Sequence, residues 1–229
     1  MNKAGISIII PALNEAAHLP RTLASCRDPD VREVIVVDGG SSDDTVRIAA
    51  REGAVVLETP PGRGGQQRAG ADAARGSVLL FLHADTVLPG GFGPCVEQVL
   101  SRPGTAAGAF RLSIAATGRA YRILEKGVEW RTRYLQLPYG DQGIFLARET
   151  YEAAGGIPEL PFLEDLALVL ALRKVGRIRL APEAVVTSAR RWERHGPWRM
   201  VLWNQLAVAA YLIGIPPEKI HRWYQRRAG

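Results

Sequence analysis

The residues of this chain that could do chemistry sit where apolar runs end. Val78 to Leu82 is followed at once by His83-Ala84-Asp85, an imidazole and a carboxylate one residue apart. Both are metal-ligand types. The Asp85 oxygen suits a hard cation, and the softer His83 nitrogen is tolerable for Mn2+ and poor for Mg2+. The other reading of His83 is a hydrogen-bonded neighbour at a strand end, with no metal. A second stretch, Gly62-Arg63-Gly64-Gly65, opens a segment that carries Arg68. Backbone N–H groups at a helix start attract anions and a guanidinium forks onto phosphate oxygens, so a diphosphate fits there. A plain surface loop has the same composition. Asp38 ends another apolar run, Val34 to Val37, and Glu164-Asp165 stands where a long helix begins. A helix start favours the ionised carboxyl, although two acids there also simply complement the helix dipole.

These groups need a frame that collects strand ends. Short apolar runs bounded by Gly and Pro read as buried strands: Ile6 to Ile10, Val34 to Val37, Ala54 to Leu57 and Val78 to Leu82. Between them lie helical stretches. One carries Leu19 and Leu23 with Asn14 as its cap, one runs to Arg51 with a Ser or Asp cap, and one spans Gln66 to Arg75. This β-α-β-α-β-α-β order predicts an α/β fold with a mostly parallel, twisted, doubly wound sheet flanked by helices. In such sheets ligands bind beyond the carboxyl ends of the strands, where His83, Asp85 and Asp38 fall. Further along, helices are expected at Phe92 to Leu100 and around Tyr121 to Leu135. Strands are expected at Ala106 to Ile114, Ile144 to Ala147 and Val185-Val186, and an apolar helix at Trp198 to Ile213.

Taken in order, several segments together resemble a family 2 glycosyltransferase of the Rossmann-like GT-A fold. They are Ile8-Ile9-Ile10-Pro11-Ala12-Leu13-Asn14-Glu15, Val36-Val37-Asp38-Gly39-Gly40-Ser41-Ser42-Asp43-Asp44-Thr45, Arg68-Ala69-Gly70, His83-Ala84-Asp85 and Glu164-Asp165. The resemblance implies a transferase domain over residues 1–190 and a basic, apolar helical appendage over 191–229. It implies that Asp38 accepts a hydrogen bond from the base of a nucleotide-diphosphate sugar; an ionised Asp is only an acceptor and uracil N3–H is a donor. The alternative for Asp38 is a turn or capping role, which falls more naturally to Ser42 or Asp43. Pro11, Asn14, Glu15, Gly64, Arg68 and Ala84 would complete the donor nucleotide site. His83-Ala84-Asp85 occupies the place of the family's metal-binding acid pair, with His83 a departure from it; Asp85 with His83 would hold Mn2+ or Mg2+. Asp165, with Glu164 beside it, would be the general base of an inverting transfer from a UDP- or GDP-sugar to an acceptor hydroxyl. Asp141 and Gln142, in a loop on the same edge, would meet donor sugar or acceptor. Arg191 and Trp192, in Arg190-Arg191-Trp192, would steady the leaving diphosphate and stack a sugar, with a basic surface turn as the other reading.

A nucleotidyltransferase would want its glycine-rich phosphate loop directly after the first strand, where Pro11 to Glu15 stand instead. A binding protein that kept the fold without turnover finds its support in His83. The compact chain resembles short bacterial members linked with arsenosugar formation, whose acceptors are small molecules or lipids.

Of 229 residues, 47% are hydrophobic and 23% charged, ordinary for a globular protein. No apolar run is long enough to span a membrane, and the start, Met1 to Lys3, is too short for a signal peptide. Cys26 and Cys95 lack metal spacing and read as reduced thiols of a cytoplasmic protein. The net charge of +6 lies wholly after Thr187, where eight Lys/Arg face two Glu. No nucleic-acid role is expected. A basic tail around an apolar helix suits the inner face of an anionic membrane, or else packing on the domain or a homodimer contact.

Overall fold

A computed structural model describes residues 5–228, so Met1 to Ala4 and Gly229 lie outside the described residues. The first half alternates β1 (Ile6–Ala12), α1 (Leu19–Ser25), β2 (Val31–Asp38), α2 (Thr45–Arg51), β3 (Val55–Glu58), α3 (Arg63–Ala73) and β4 (Val78–Phe81). Next come β5 (Thr86–Val87), α4 (Phe92–Leu100), β6 (Thr105–Ile114), α5 (Arg119–Leu135), β7 (Ile144–Ala147) and α6 (Arg148–Ala153). The chain ends in α7 (Glu164–Val175), β8 (Arg177–Thr187), α8 (Arg190–His195), α9 (Pro197–Leu212) and α10 (Pro217–Ala228).

The strands form one sheet in the order β3-β2-β1-β4-β7-β6-β8-β5. β1 to β4 run parallel, as expected. β7 is antiparallel to both its neighbours, β6 pairs in parallel with β8, and β5 is antiparallel to β8. The apolar runs are continuous because both faces are covered. Along β1, Ile8 and Ile10 enter the core under α1 and α4, and Ile9 enters the core under α3 and α7. β4 splits the same way, Leu80 to the first core and Leu79 and Phe81 to the second.

Four expectations need correction. Asn14 does not cap α1, whose N-cap is His18 with no side-chain bond. Asn14 is left-handed (φ 54°), and its Oδ1 instead accepts the Ser42 N–H at 2.9 Å, tying the β1–α1 loop to the β2–α2 turn. α3 starts at Arg63, so Gly64 and Gly65 are helical rather than loop residues. The expected Val185-Val186 strand is the end of the eleven-residue β8. Pro182 hid it: the β6–β8 register shifts between Ala109 and Arg111, and such an irregularity lets a proline sit inside a sheet. Finally, a second tail helix, α10, packs on α9. Met200, Trp203, Ala207 and Val208 of α9 share a small core with Ile220 and Tyr224 of α10 and with Leu163 and Leu166 at the start of α7.

Candidate functional site

A cavity of about 110 Å³ opens beyond the carboxyl end of β4. That is several times the room one water needs. Its walls come from four places: the start of α3, the ends of β4 and β8, the loop before β7 with the start of α7, and the tail helices. They carry Arg63; His83 and Asp85; Gly140, Asp141 and Asp165; and Arg191, Asn204 and Tyr224 respectively.

Asp165 is held for action. Its Oδ2 accepts the Gly140 N–H at 2.7 Å and its Oδ1 accepts the Leu166 N–H at 2.8 Å. The residue before the pair, Leu163, is a buried leucine with φ 63°, a conformation bulky residues rarely adopt. That turn aims Glu164 and Asp165 differently. Glu164 is buried and pairs with Arg63 at 3.1 Å, whereas Asp165 faces the cavity. Burial pushes the Glu164 carboxyl above its ordinary range against the pull of Arg63, and the Glu164 charge holds Arg63 firmly cationic. Glu164 thus anchors an arginine, and only Asp165 is free to meet a ligand.

Gly140 is wedged between the two halves of the site. A Cβ there would lie 2.9 Å from His83 Nε2 and 3.3 Å from Asp165 Oδ2, so only glycine fits without displacing one of them. The His83 pKa is driven down to about 3, first by burial and then by Arg63, Arg191 and Arg190. His83 is therefore a neutral imidazole, the form that can ligate a metal. Asp85 lines the cavity beside it, 3.3 Å from Arg190, which also pairs with Glu15 at 2.9 Å. Asp141 has a buried oxygen, Oδ1, with no partner among the described residues. Burial raises its pKa to about 6 against the pull of Arg131.

Two neighbouring arginines are split between two tasks. Arg190 reaches back to Glu15 and Asp85, while Arg191 lines the cavity and donates to the Tyr224 hydroxyl at 3.2 Å, which donates on to Asn204 at 2.6 Å. Trp192 lines the cavity and also packs into the tail core.

Other named residues lie elsewhere. Asp38 is buried at the end of β2 and does not line the cavity. Its Oδ2 accepts the Gly40 and Ser41 N–H groups at 2.8 Å each, and its Oδ1 accepts the Ser41 hydroxyl, so it does hold the β2–α2 turn. Pro11 is buried inside β1 opposite Val37, and Ala84 is buried with its carbonyl accepting from Thr22. Arg68 does not face the cavity; it points to Glu159 (3.8 Å) and the Ile157 carbonyl, because α3 turns that side chain toward the α6–α7 loop. Gly64 does not line the cavity either. A Cβ there would meet the Pro158 carbonyl at 2.6 Å, so its smallness serves chain packing. Gln142 is fully buried, accepts from Arg131, Thr132 and the Tyr139 N–H, and donates to the Phe110 carbonyl at 3.0 Å. It bolts the loop that presents Gly140 and does not line the cavity.

Sequence reasoning placed Gly140 only as one residue of its loop and missed Gln66, Asn204 and Tyr224. Gln66 donates to the Ala12 and Val37 carbonyls at 2.9 and 2.8 Å, closing the ends of β1 and β2. Gly140 had a weak signal, its place between Tyr139 and Asp141. The tail residues had none, because nothing local says which way α9 and α10 fold back.

Among the described residues no three metal-ligand side chains converge, so an ion here would draw its further ligands from phosphate and water. Asp85 and the neutral His83 fit such a role as a pair.

Residues 7–151 match the glycosyl transferase family 2 model. An uncharacterised glycosyltransferase of Mycobacterium tuberculosis is 39% identical over 87 residues, 38% of this chain and 39% of that protein. Glucosyl-3-phosphoglycerate synthase of the same organism is 36% identical over 102 residues, 38% of this chain and 31% of that protein. The match thus spans well under half the length of these curated relatives. Among solved structures, that synthase in complex with Mn2+, uridine diphosphate and glucosyl-3-phosphoglycerate superposes with a TM-score of 0.64 at 22% identity, covering 93% of this chain and 80% of that one. The Staphylococcus aureus TarS fragment 1-349 in complex with UDP gives 0.60 at 16% identity, covering 80% and 60%. These likenesses establish the GT-A type of α/β fold: a mixed sheet flanked by helices, with helices at the C-terminal end. With the family model covering more than half of its residues, the chain belongs to glycosyl transferase family 2.

Proposed function

We propose that the protein is an inverting glycosyltransferase that moves a sugar from a nucleotide-diphosphate sugar, a UDP-sugar first of all, to an acceptor hydroxyl, with Asp165 as general base. The observation that carries this reading is the shared cavity. Asp165, fixed by the Gly140 and Leu166 N–H groups, opens onto the same space as Asp85 and His83. Inversion needs a base on one side of the reacting carbon and a stabilised leaving group on the other. Asp165 takes the proton of the acceptor hydroxyl as it attacks. Asp85 and His83 would hold a divalent ion, Mn2+ in preference to Mg2+, and such an ion would supply positive charge against the leaving diphosphate. Arg190, placed between Glu15 and Asp85, keeps that edge oriented and is within reach of the same charge. Asp38 and Asn14 shape the nucleotide side through the turn they hold.

The appendage, residues 191–229, forms the acceptor wall in this reading, through Arg191, Asn204 and Tyr224. The small cavity suits a small-molecule or lipid acceptor hydroxyl, as in the short members linked with arsenosugar formation. Two buried, unpaired thiols are in keeping with a cytoplasmic site of action.

The test is a panel of UDP- and GDP-sugars followed by thermal shift and by release of nucleotide diphosphate, each with and without Mn2+. One nucleotide sugar should raise the Tm more with Mn2+ than without, and its diphosphate should be released. A nucleoside triphosphate that stabilises the protein while no sugar donor does would overturn the reading in favour of nucleotidyl transfer.

A further inference from the structure

The outer side of the tail helices takes no part in the site. α9 is apolar on two opposite sides, the mark of a helix that is covered all round. One side is buried in the tail core. On the other, Trp198, Leu202 and Leu206 recur every fourth residue and are 56, 56 and 47% exposed, and Ile213 just past the helix is 78% exposed. A contiguous apolar ridge of this kind marks an interaction surface.

Beside it runs a groove between α9 and α10. Its cations are Arg199, Lys219, Arg222, Arg226 and Arg227, and its aromatic residues are Trp203 and Trp223. No acid lines it. Among the described residues none of these cations has a carboxylate within ion-pair distance. Two lie over indoles instead, Arg199 at 5.0 Å from the Trp203 centroid and Arg227 at 5.8 Å from that of Trp223. α5, which packs against α9, adds exposed Trp130 and Tyr134 with ring centroids 5.7 Å apart. Among the described residues no helix is long and apolar enough to cross a membrane.

We propose that the α9 ridge and the α9–α10 groove dock the protein on the surface of an anionic lipid bilayer, the apolar side chains entering the headgroup layer and the groove cations meeting lipid phosphates. Charge complementarity selects this occupant. A polyanion in water, such as nucleic acid, would satisfy the groove and leave the ridge exposed, and a purely apolar partner would leave five cations unpaired. Indole rings beside cations suit the interface between headgroups and acyl chains. The proposal does not depend on the transfer chemistry, because none of the ridge residues lines the cavity.

The experiment is co-sedimentation of the full chain with vesicles of phosphatidylglycerol and phosphatidylcholine, and with phosphatidylcholine alone. Binding should require phosphatidylglycerol and weaken at high salt. Arg222→Gln/Arg226→Gln/Arg227→Gln should weaken it on the order of 100-fold, at about fivefold per cation near an anionic surface. Leu202→Ser/Leu206→Ser should weaken it as well, with circular dichroism and release of nucleotide diphosphate unchanged in both variants. Equal sedimentation with both vesicle types, or binding untouched by either variant, would overturn the proposal. So would a dimer in solution that the ridge variants convert to monomer, which would assign the face to a second copy. Abolition of vesicle binding by millimolar inorganic phosphate alone would mark the groove as a site for free anions and equally overturn it.

Discussion

The two halves of the site are built by different means. On the side that the proposed function gives to the donor, β1, β2 and β4 lie next to each other in parallel, so their carboxyl ends deliver Glu15, Asp38 and Asp85 to one edge from a short span of chain. On the side proposed for the acceptor, Gly140, Asp165, Arg191 and Tyr224 come from a loop, a helix start and the folded-back tail. A parallel sheet collects strand ends by its repeating connection. The acceptor side has no such rule, and each of its residues depends on packing. Substitutions on the two sides should therefore fail differently, with local chemistry lost on the first and geometry on the second.

The largest effect should come from the base. Asp165→Asn keeps the shape and, through its one amide oxygen, the Gly140 bond at the expense of the Leu166 bond, but removes the proton acceptor, so kcat should fall by about 10²–10⁴ with donor affinity unchanged, read by single-turnover transfer and by thermal shift with donor. An unchanged kcat would remove Asp165 from its role. Asp85→Asn should weaken Mn2+-dependent donor binding by roughly 10–100-fold, the range seen when a metal site is disturbed, measured as a titration of donor at fixed Mn2+. Loss of binding equally with and without Mn2+ would place Asp85 outside the metal site.

Gly140→Ala tests the acceptor side as geometry. The added Cβ must displace His83 or the base, so kcat should fall about tenfold, with a destabilisation of about 1–3 kcal/mol from overpacking. A variant as active as the parent would mean that the loop yields freely.

Asp141 gives a pH signature on that side. Its folded pKa of about 6 lies above the ordinary 3.8, so the folded state prefers the neutral acid. Its contribution to stability is present at low pH and is lost as pH rises from about 4 through about 6. Asp141→Asn should remove that slope from a Tm-against-pH curve and raise Tm by a few degrees at pH 7.5. An unaltered slope would show that another group carries it.

The smallest effect belongs to Arg68→Ala. Its guanidinium faces Glu159 across 3.8 Å at the surface, where such pairs contribute about 0–1 kcal/mol, and donor affinity should stay within twofold. A large loss would return Arg68 to the diphosphate.

How much was legible follows the same divide. The β-α alternation to Leu82, the strand ends at Asp38 and His83, and the helix start at Glu164 could be read because apolar runs and turn residues are local signals. β8 was read only at its end because Pro182 argues against a strand unless a bulge is known to be there. Arg68 and Arg63 looked alike in sequence. Only the phase of α3 and the Glu164 contact turn Arg63 into the cavity and Arg68 away from it.

The sequence by itself determined the α/β class, the residue types at the strand ends and the basic excess of the tail, because each is set by composition or by neighbours a few positions apart. Tertiary structure alone decided that Glu164 is an anchor and Asp165 is free. It also decided that Gly140 must have no side chain, and that of the adjacent Arg190 and Arg191 the first pairs with Glu15 and Asp85 while the second lines the cavity. Those outcomes depend on contacts between residues that lie 25 to 175 positions apart, such as Gly140 with Asp165 and Glu15 with Arg190, and a pairing at that separation leaves no periodic trace in the chain.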